Sequence, residues 1–137
     1  MNEKYFRFQD LEIWQRAAGF SPKFFRLADK LDHRRLYRFP EQLRGGVLSI
    51  TNNIAEGSGS LSTNDFANFL NTARRSTFEV ANILFLLSKD DYIDKQCLEL
   101  AIPELEGRKQ NDPRLYPNVE ISTRRLDFET FLLSYTF

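Results

Sequence analysis

An all-α fold, an antiparallel up-down four-helix bundle with an atypical C-terminal tail, is what this sequence predicts, and three observations predict it. Apolar residues recur at spacings of three and four over four separate stretches, the period of a helix that buries one face. No segment keeps a period of two, which argues against a sheet. Breakers are few, five Pro and six Gly against thirteen Phe in 137 residues, so long elements packed through bulky side chains are favoured over a loop-rich fold.

Residues 9–32 predict the first helix. Asp10 supplies a cap or first-turn acid, and Leu11, Trp14, Ala18, Phe24, Leu27, Ala28 and Leu31 form its stripe. Ser21-Pro22 interrupts that stripe. Proline lacks a hydrogen-bond donor and crowds the preceding turn, so a kink or a break is expected there. The second helix spans residues 35–58, or starts near Pro40, with Leu36, Phe39, Leu43, Val47, Ile50 and Ile54 as its face. Gly57-Ser58-Gly59-Ser60 is expected to stop it through glycine's access to left-handed backbone.

The third helix follows a cap at Ser62 or Thr63, with Asp65 placed to suit the helix dipole. Its seam runs Phe66, Phe69, Leu70, Ala73, Thr77, Val80, Leu84 and Leu87, to about residue 89. After a turn at Asp90-Asp91-Tyr92, a fourth helix starts near Asp94 with Cys97, Leu98, Ala101, Ile102 and Leu105 inward. Short connections make the bundle antiparallel. Residues 1–106 form the bundle. Residues 107–137 form a tail that opens on a polar stretch with two prolines, GRKQNDPRLYPN, and ends on Leu126, Phe128, Phe131, Leu132, Leu133, Tyr135 and Phe137. Its periodicity is poor, so it reads as irregular or as a short closing helix.

Composition narrows the function. A chain of this length, 42% hydrophobic and 28% charged, buries a core as one domain without metal or disulfide staples. Lys plus Arg equals Asp plus Glu at nineteen each, which weighs against a protein that grips nucleic acid through a basic excess. The balance hides a dipole. Residues 1–60 carry ten basic and seven acidic side chains, residues 61–106 four and eight, and complementary faces of a self-associating protein account for that as well as a one-sided surface does. Cys97 is the only cysteine, no basic-then-apolar leader opens the chain, and no run has the length to cross a bilayer. The expected location is the cytoplasm, with no membrane contact.

Catalytic constellations are missing from the pattern. His33 is the only histidine and is followed by arginines, so no paired Glu-x-x-His metal motif is present, and a Ser-His-Asp or Cys-His arrangement would have to use this one histidine at a helix junction, with no glycine-rich nucleophile turn in the chain. Cys97 falls on an inward helix position, and no glycine-rich phosphate loop is present. The expectation is a protein that is not an enzyme, with no metal, no cofactor and no small-molecule substrate.

Three groups of residues stand out instead. Gly45-Gly46 inside the second helix costs about 1 kcal/mol per glycine relative to Ala. With Ser49 one turn on, the pair leaves a strip almost free of side chain, suited to close helix packing within or between protomers, or to the approach of a ligand. Asn52, Asn53 and Glu56 lie beside the apolar face of that helix, where buried polar groups need partners. Ser76 and Glu79 of an antiparallel third helix can join them in a structural polar network, with Arg75 a further candidate partner. The arginines Arg34, Arg35, Arg38, Arg44, Arg74 and Arg75 read as a solvated face, a phosphate-contacting patch for RNA or DNA, or subunit salt bridges.

Several of these segments occur together in a known family. Phe8-x-Asp10-Leu11-x-x-Trp14-Gln15, Gln42-Leu43-Arg44, Ser49-Ile50, Asn53-Ile54-Ala55-Glu56-Gly57 and Phe66-x-x-Phe69-Leu70-x-x-Ala73 with Ser76 and Glu79 resemble the four-helix bundle family encoded by intervening sequences in bacterial 23S ribosomal RNA genes, over about residues 6–106. The resemblance implies a homo-oligomer, a ring and commonly a pentamer, that acts as a scaffold or binding module for a protein or RNA partner, with no assigned activity. A related branch, the accessory proteins of diversity-generating retroelements, implies the alternative of a nucleic-acid-binding factor. The chain departs from that branch in its zero net charge and in Gly45-Gly46, and from the family after Glu106, where a Leu-rich helix ending is replaced by the polar, proline-bearing stretch. A shifted reading frame explains such a replacement, and the coding DNA read in all three frames tests it.

Overall fold

The structure, a computed structural model, describes residues 3–106. The predicted tail, residues 107–137, lies outside the described residues. Within them a 3-10 turn, Arg7–Asp10, precedes four α-helices: α1 (Glu12–His33), α2 (Arg38–Ser58), α3 (Thr63–Lys89) and α4 (Lys95–Glu106). There is no strand among the described residues.

The helices pack because their apolar stripes meet. Phe24, Leu31, Leu43, Val47, Val80, Leu84 and Leu87 are sealed from solvent, and Cys97 and Ala101 of α4 close the same core. The heaviest packing is between α2 and α3 and between α1 and α2. α2 and α3 pair head to tail: Gly57 meets Phe66 and Phe69 near one end, and Gly46 meets Val80 a few turns on. α4 runs against α1 in the same opposed sense, with Lys23 bonded to Glu104 at 2.6 Å and Lys30 beside Cys97.

Two sequence expectations change. α1 passes through Ser21-Pro22 without a break. Both flanks of Pro22 carry core residues, Ala17 and Ser21 before it, Phe24 and Leu27 after it, and continuous burial on both sides offsets the one backbone bond that proline removes. The Ser21 hydroxyl also donates to the Ala17 carbonyl at 2.6 Å. Pro40 is tolerated for another reason. It is the third residue of α2, where the backbone N–H has no partner inside the helix in any case. The second change concerns helix ends. Gly59, after α2, has φ −84°, so no left-handed glycine stops that helix.

The left-handed caps fall elsewhere, on residues that are not glycine. Arg35 (φ 61°) follows α1 and Asp91 (φ 59°) follows α3. At the first, Leu36 N donates to Leu31 O and Arg35 N to Asp32 O; at the second, Tyr92 N donates to Leu87 O and Asp91 N to Ser88 O. This is the Schellman pattern, which satisfies the last carbonyls of a helix while turning the chain. Asp10 does not cap α1 as expected, because it closes the 3-10 turn and the N-cap position falls to Leu11, which has no side-chain acceptor; the later N-termini do carry side-chain caps. Ser62 Oγ accepts from Asp65 N at 3.1 Å, and Asp94 Oδ1 accepts from Cys97 N at 2.7 Å.

Candidate interaction surfaces

The close α2–α3 approach is built from small residues. A Cβ on Gly46 would stand 2.7 Å from Val80 Cγ2, and one on Gly57 would stand 2.6 Å from Phe69 Cβ. Gly45 has open space around it, on the exposed side of α2. Ser49 sits in the seam, its hydroxyl 2.8 Å from that of Ser76, while Asn53 donates to the Ser49 carbonyl at 2.8 Å and to its hydroxyl oxygen at 3.1 Å. Asn53, Ser49 and Ser76 thus make one half-buried polar link between the two helices. Asn52, Glu56 and Glu79 point away from it, exposed.

The six arginines do not form one patch. Arg34, Arg35 and Arg38 are exposed together at the α1–α2 turn. Arg34 reaches across to the α3–α4 turn, donating to the Tyr92 carbonyl at 2.8 Å with its guanidinium 5.4 Å from the Tyr92 ring centre. Arg44 is neutralised locally. It bonds Asp29 at 2.5 Å and Asp32 at 2.6 Å, clamping α2 to α1, and those bonds push its guanidinium pKa still higher. Arg74 and Arg75 lie opposite the stretch around Thr51, about 20 Å along the bundle axis from Arg38 at helical rise, and Arg74 stacks on Phe78 with 5.9 Å to its ring centre.

Large apolar side chains on the outside form the more continuous feature. Phe78 and Phe85 are 66% and 53% exposed, two helical turns apart on the side of α3 that faces away from Val80 and Leu84, with Leu86 beside them. A shallow groove of about 390 Å³ runs between α1 and α2, lined by Phe8, Trp14, Pro22, Phe25 and Leu48 among others. A second, of about 350 Å³, lies beside Glu104 and Leu105 of α4, over Ile13, Ala17, Phe20, Ile54, Leu70 and Ala73.

His33 stands exposed on the last turn of α1. Burial, with Asp94 nearby, pushes the Cys97 thiol up to about 12, against the opposing charge of Lys30. At neutral pH this thiol is protonated and a poor nucleophile. Lys30, its neighbour, is pushed down by burial, and its Nζ has no hydrogen-bond partner among the described residues.

Sequence reasoning missed three of these features. Gly57 reads as a helix stop because it sits in a Gly-Ser run, yet a Cβ there would meet Phe66 and Phe69 of α3; the Phe66–Phe69 pair on one face of α3 was the signal. Asp29 and Asp32 carry an (i, i+3) spacing that suits one guanidinium. The exposed Phe78–Phe85 pair carries an i, i+7 spacing that marks one face of α3 outside the inward seam.

The family model described as "23S rRNA-intervening sequence protein" matches residues 9–109. No curated protein and no solved structure matches the chain.

Proposed function

This chain belongs to the 23S rRNA-intervening sequence protein family, and from that membership we propose that it works without catalysing a reaction, as a self-assembling helical scaffold that binds a protein or RNA partner. The observation that carries the reading is the outward face of α3. Phe78, Phe85 and Leu86 present apolar surface on the side of the helix turned from the core, and such a stripe is costly to leave in water. A closed ring of copies, such as a pentamer, covers it if this face of each copy meets a different patch on the next. The groove beside Trp14 and Leu48 offers such a patch. Light scattering at micromolar concentration is expected to give a defined oligomer, and Phe78→Asp with Phe85→Asp to give a monomer with unchanged helix content by circular dichroism. A wild-type monomer sinks the reading.

A second reading, a nucleic-acid-binding accessory factor, is favoured by one observation, the joint exposure of Arg34, Arg35 and Arg38 at a single turn. Exposed guanidinium groups suit phosphate oxygens, although Arg34 also donates to the Tyr92 carbonyl. Arg44 contributes less to that surface because Asp29 and Asp32 already hold it.

A further inference from the structure

Pro22 sits inside α1 and has no N–H to give the Ala18 carbonyl four residues before it. That carbonyl is left without its helical donor. Both residues line the groove of about 390 Å³ between α1 and α2. Trp14, Phe25 and Leu48 make its walls apolar, and Asn52 adds an exposed amide. The occupant that suits such a groove brings apolar bulk at two points and a hydrogen-bond donor between them.

The outward face of α3 has that chemistry. Asn82 is exposed four residues after Phe78 and three before Phe85, so the three side chains share one face. Its amide has no hydrogen-bond partner among the described residues. The lengths agree as well. Phe78 to Phe85 rises about 10 Å, within the roughly 16 Å from Trp14 to Phe25 along α1.

We propose that α3 of a second copy lies in the α1–α2 groove, with its Asn82 amide donating to the Ala18 carbonyl that Pro22 frees. The inference rests on the self-assembly of copies and names the polar contact that specifies how they pair. Charge sets the direction. α2 runs opposite to α1, since Arg44 is held at Asp29 and Asp32 while Arg7 reaches the Ser58 carbonyl. Glu56, one turn beyond Asn52, is therefore at the Trp14 end of the groove, and it is exposed. Arg75 is exposed at the Phe78 end of the α3 face. Neither has an ion pair among the described residues. Facing each other, they point Phe78 of the second copy toward Trp14 and Phe85 toward Phe25. Asn82 then meets the middle of the groove, where Ala18 and Pro22 stand. An exposed pair of this kind orients partners more than it tightens them, which leaves the carbonyl contact to fix the register.

The test measures the dissociation midpoint of the full chain by sedimentation velocity over a dilution series, with helix content checked by circular dichroism. Pro22→Ala returns an N–H to the Ala18 carbonyl, and Asn82→Ala removes the donor. Each is expected to weaken assembly about tenfold. Together they should weaken it no further than either alone, because both partners of the bond are then gone. Arg75→Glu and Glu56→Arg are each expected to weaken it several-fold, and the double exchange to restore it. Additive effects of Pro22→Ala and Asn82→Ala, or assembly indifferent to either in a folded protein, would overturn the proposal and leave the scaffold reading standing. So would an exchange of Arg75 and Glu56 that restores nothing. A wild-type monomer would instead sink the scaffold reading, and this contact with it.

Discussion

At the scale of the residue, three glycines in one helix serve different ends, and substitution separates them. Ala at Gly45 meets nothing, so the gain in helix propensity, about 0.5–1 kcal/mol, is expected to appear as a higher urea midpoint at matched protein concentration. Ala at Gly46 gains the same propensity but drives a methyl into Val80, whose branched side chain is stiff; the net expectation is a loss of about 1–2 kcal/mol. Gly57→Ala is expected to lose more, about 2–3 kcal/mol, because its nearest contact is the Cβ of Phe69, which moves only with the backbone. Cys97 yields a second prediction. With its thiol held near 12 by burial, iodoacetamide at pH 8.5 should modify the native protein at least about a hundredfold more slowly than the urea-unfolded chain. The sign for stability follows from a folded pKa above the unfolded one. The stabilisation is fully present below the ordinary thiol value of 9.0 and is lost as pH rises toward about 12. Cys97→Ala should therefore show a shallower decline over that window.

At the scale of the element, helix ends are where local chemistry and backbone demand diverge. Arg35 and Asp91 hold left-handed backbone at φ 61° and 59°, a conformation that costs a residue with a Cβ about 1 kcal/mol. Both sit at the position of a Schellman turn that glycine fills best. Arg35→Gly and Asp91→Gly are each expected to raise the thermal midpoint by a few degrees, the equivalent of about 0.5–1 kcal/mol, as calorimetry would register. Replacement of Asp91 by Val should lower it. The prolines teach the converse. Pro22 was legible as a breaker and Pro40 as a helix start, but position decides the effect of each. Pro40 falls where no helical donor is needed, and Pro22 falls where core burial on both sides carries the helix across.

At the scale of the whole molecule, the arrangement of charge matters more than its sum. The positive excess of the first sixty residues and the negative excess of the next forty-six meet within the bundle at the Lys23–Glu104 ion pair, while Arg44 is held by Asp29 and Asp32 of its own half. If nucleic acid is the partner, binding should strengthen at low salt. Arg34→Ala, Arg35→Ala and Arg38→Ala together should then flatten the salt dependence by about two to three phosphate contacts in a fluorescence anisotropy titration. Arg44→Ala should instead act on stability, by at most about 1 kcal/mol, because it leaves Asp29 and Asp32 without their shared partner. No binding at low salt removes the accessory-factor reading for the isolated protein.

The sequence by itself determined the helical class, the four elements, the cap at Ser62 and the family, because each rests on short-range periodicity or on side chains that act within one turn. Only the tertiary structure decided which glycine is packed and which is free, that Asn53 and Ser76 meet through Ser49 while Asn52, Glu56 and Glu79 face out, and that six arginines divide into an exposed trio, a clamped Arg44 and a distant pair. Those outcomes depend on the register and rotation of α2 against α1 and α3. A shift of one residue turns a helix face by about 100°, and no pattern within a single helix encodes the angle at which its neighbour arrives.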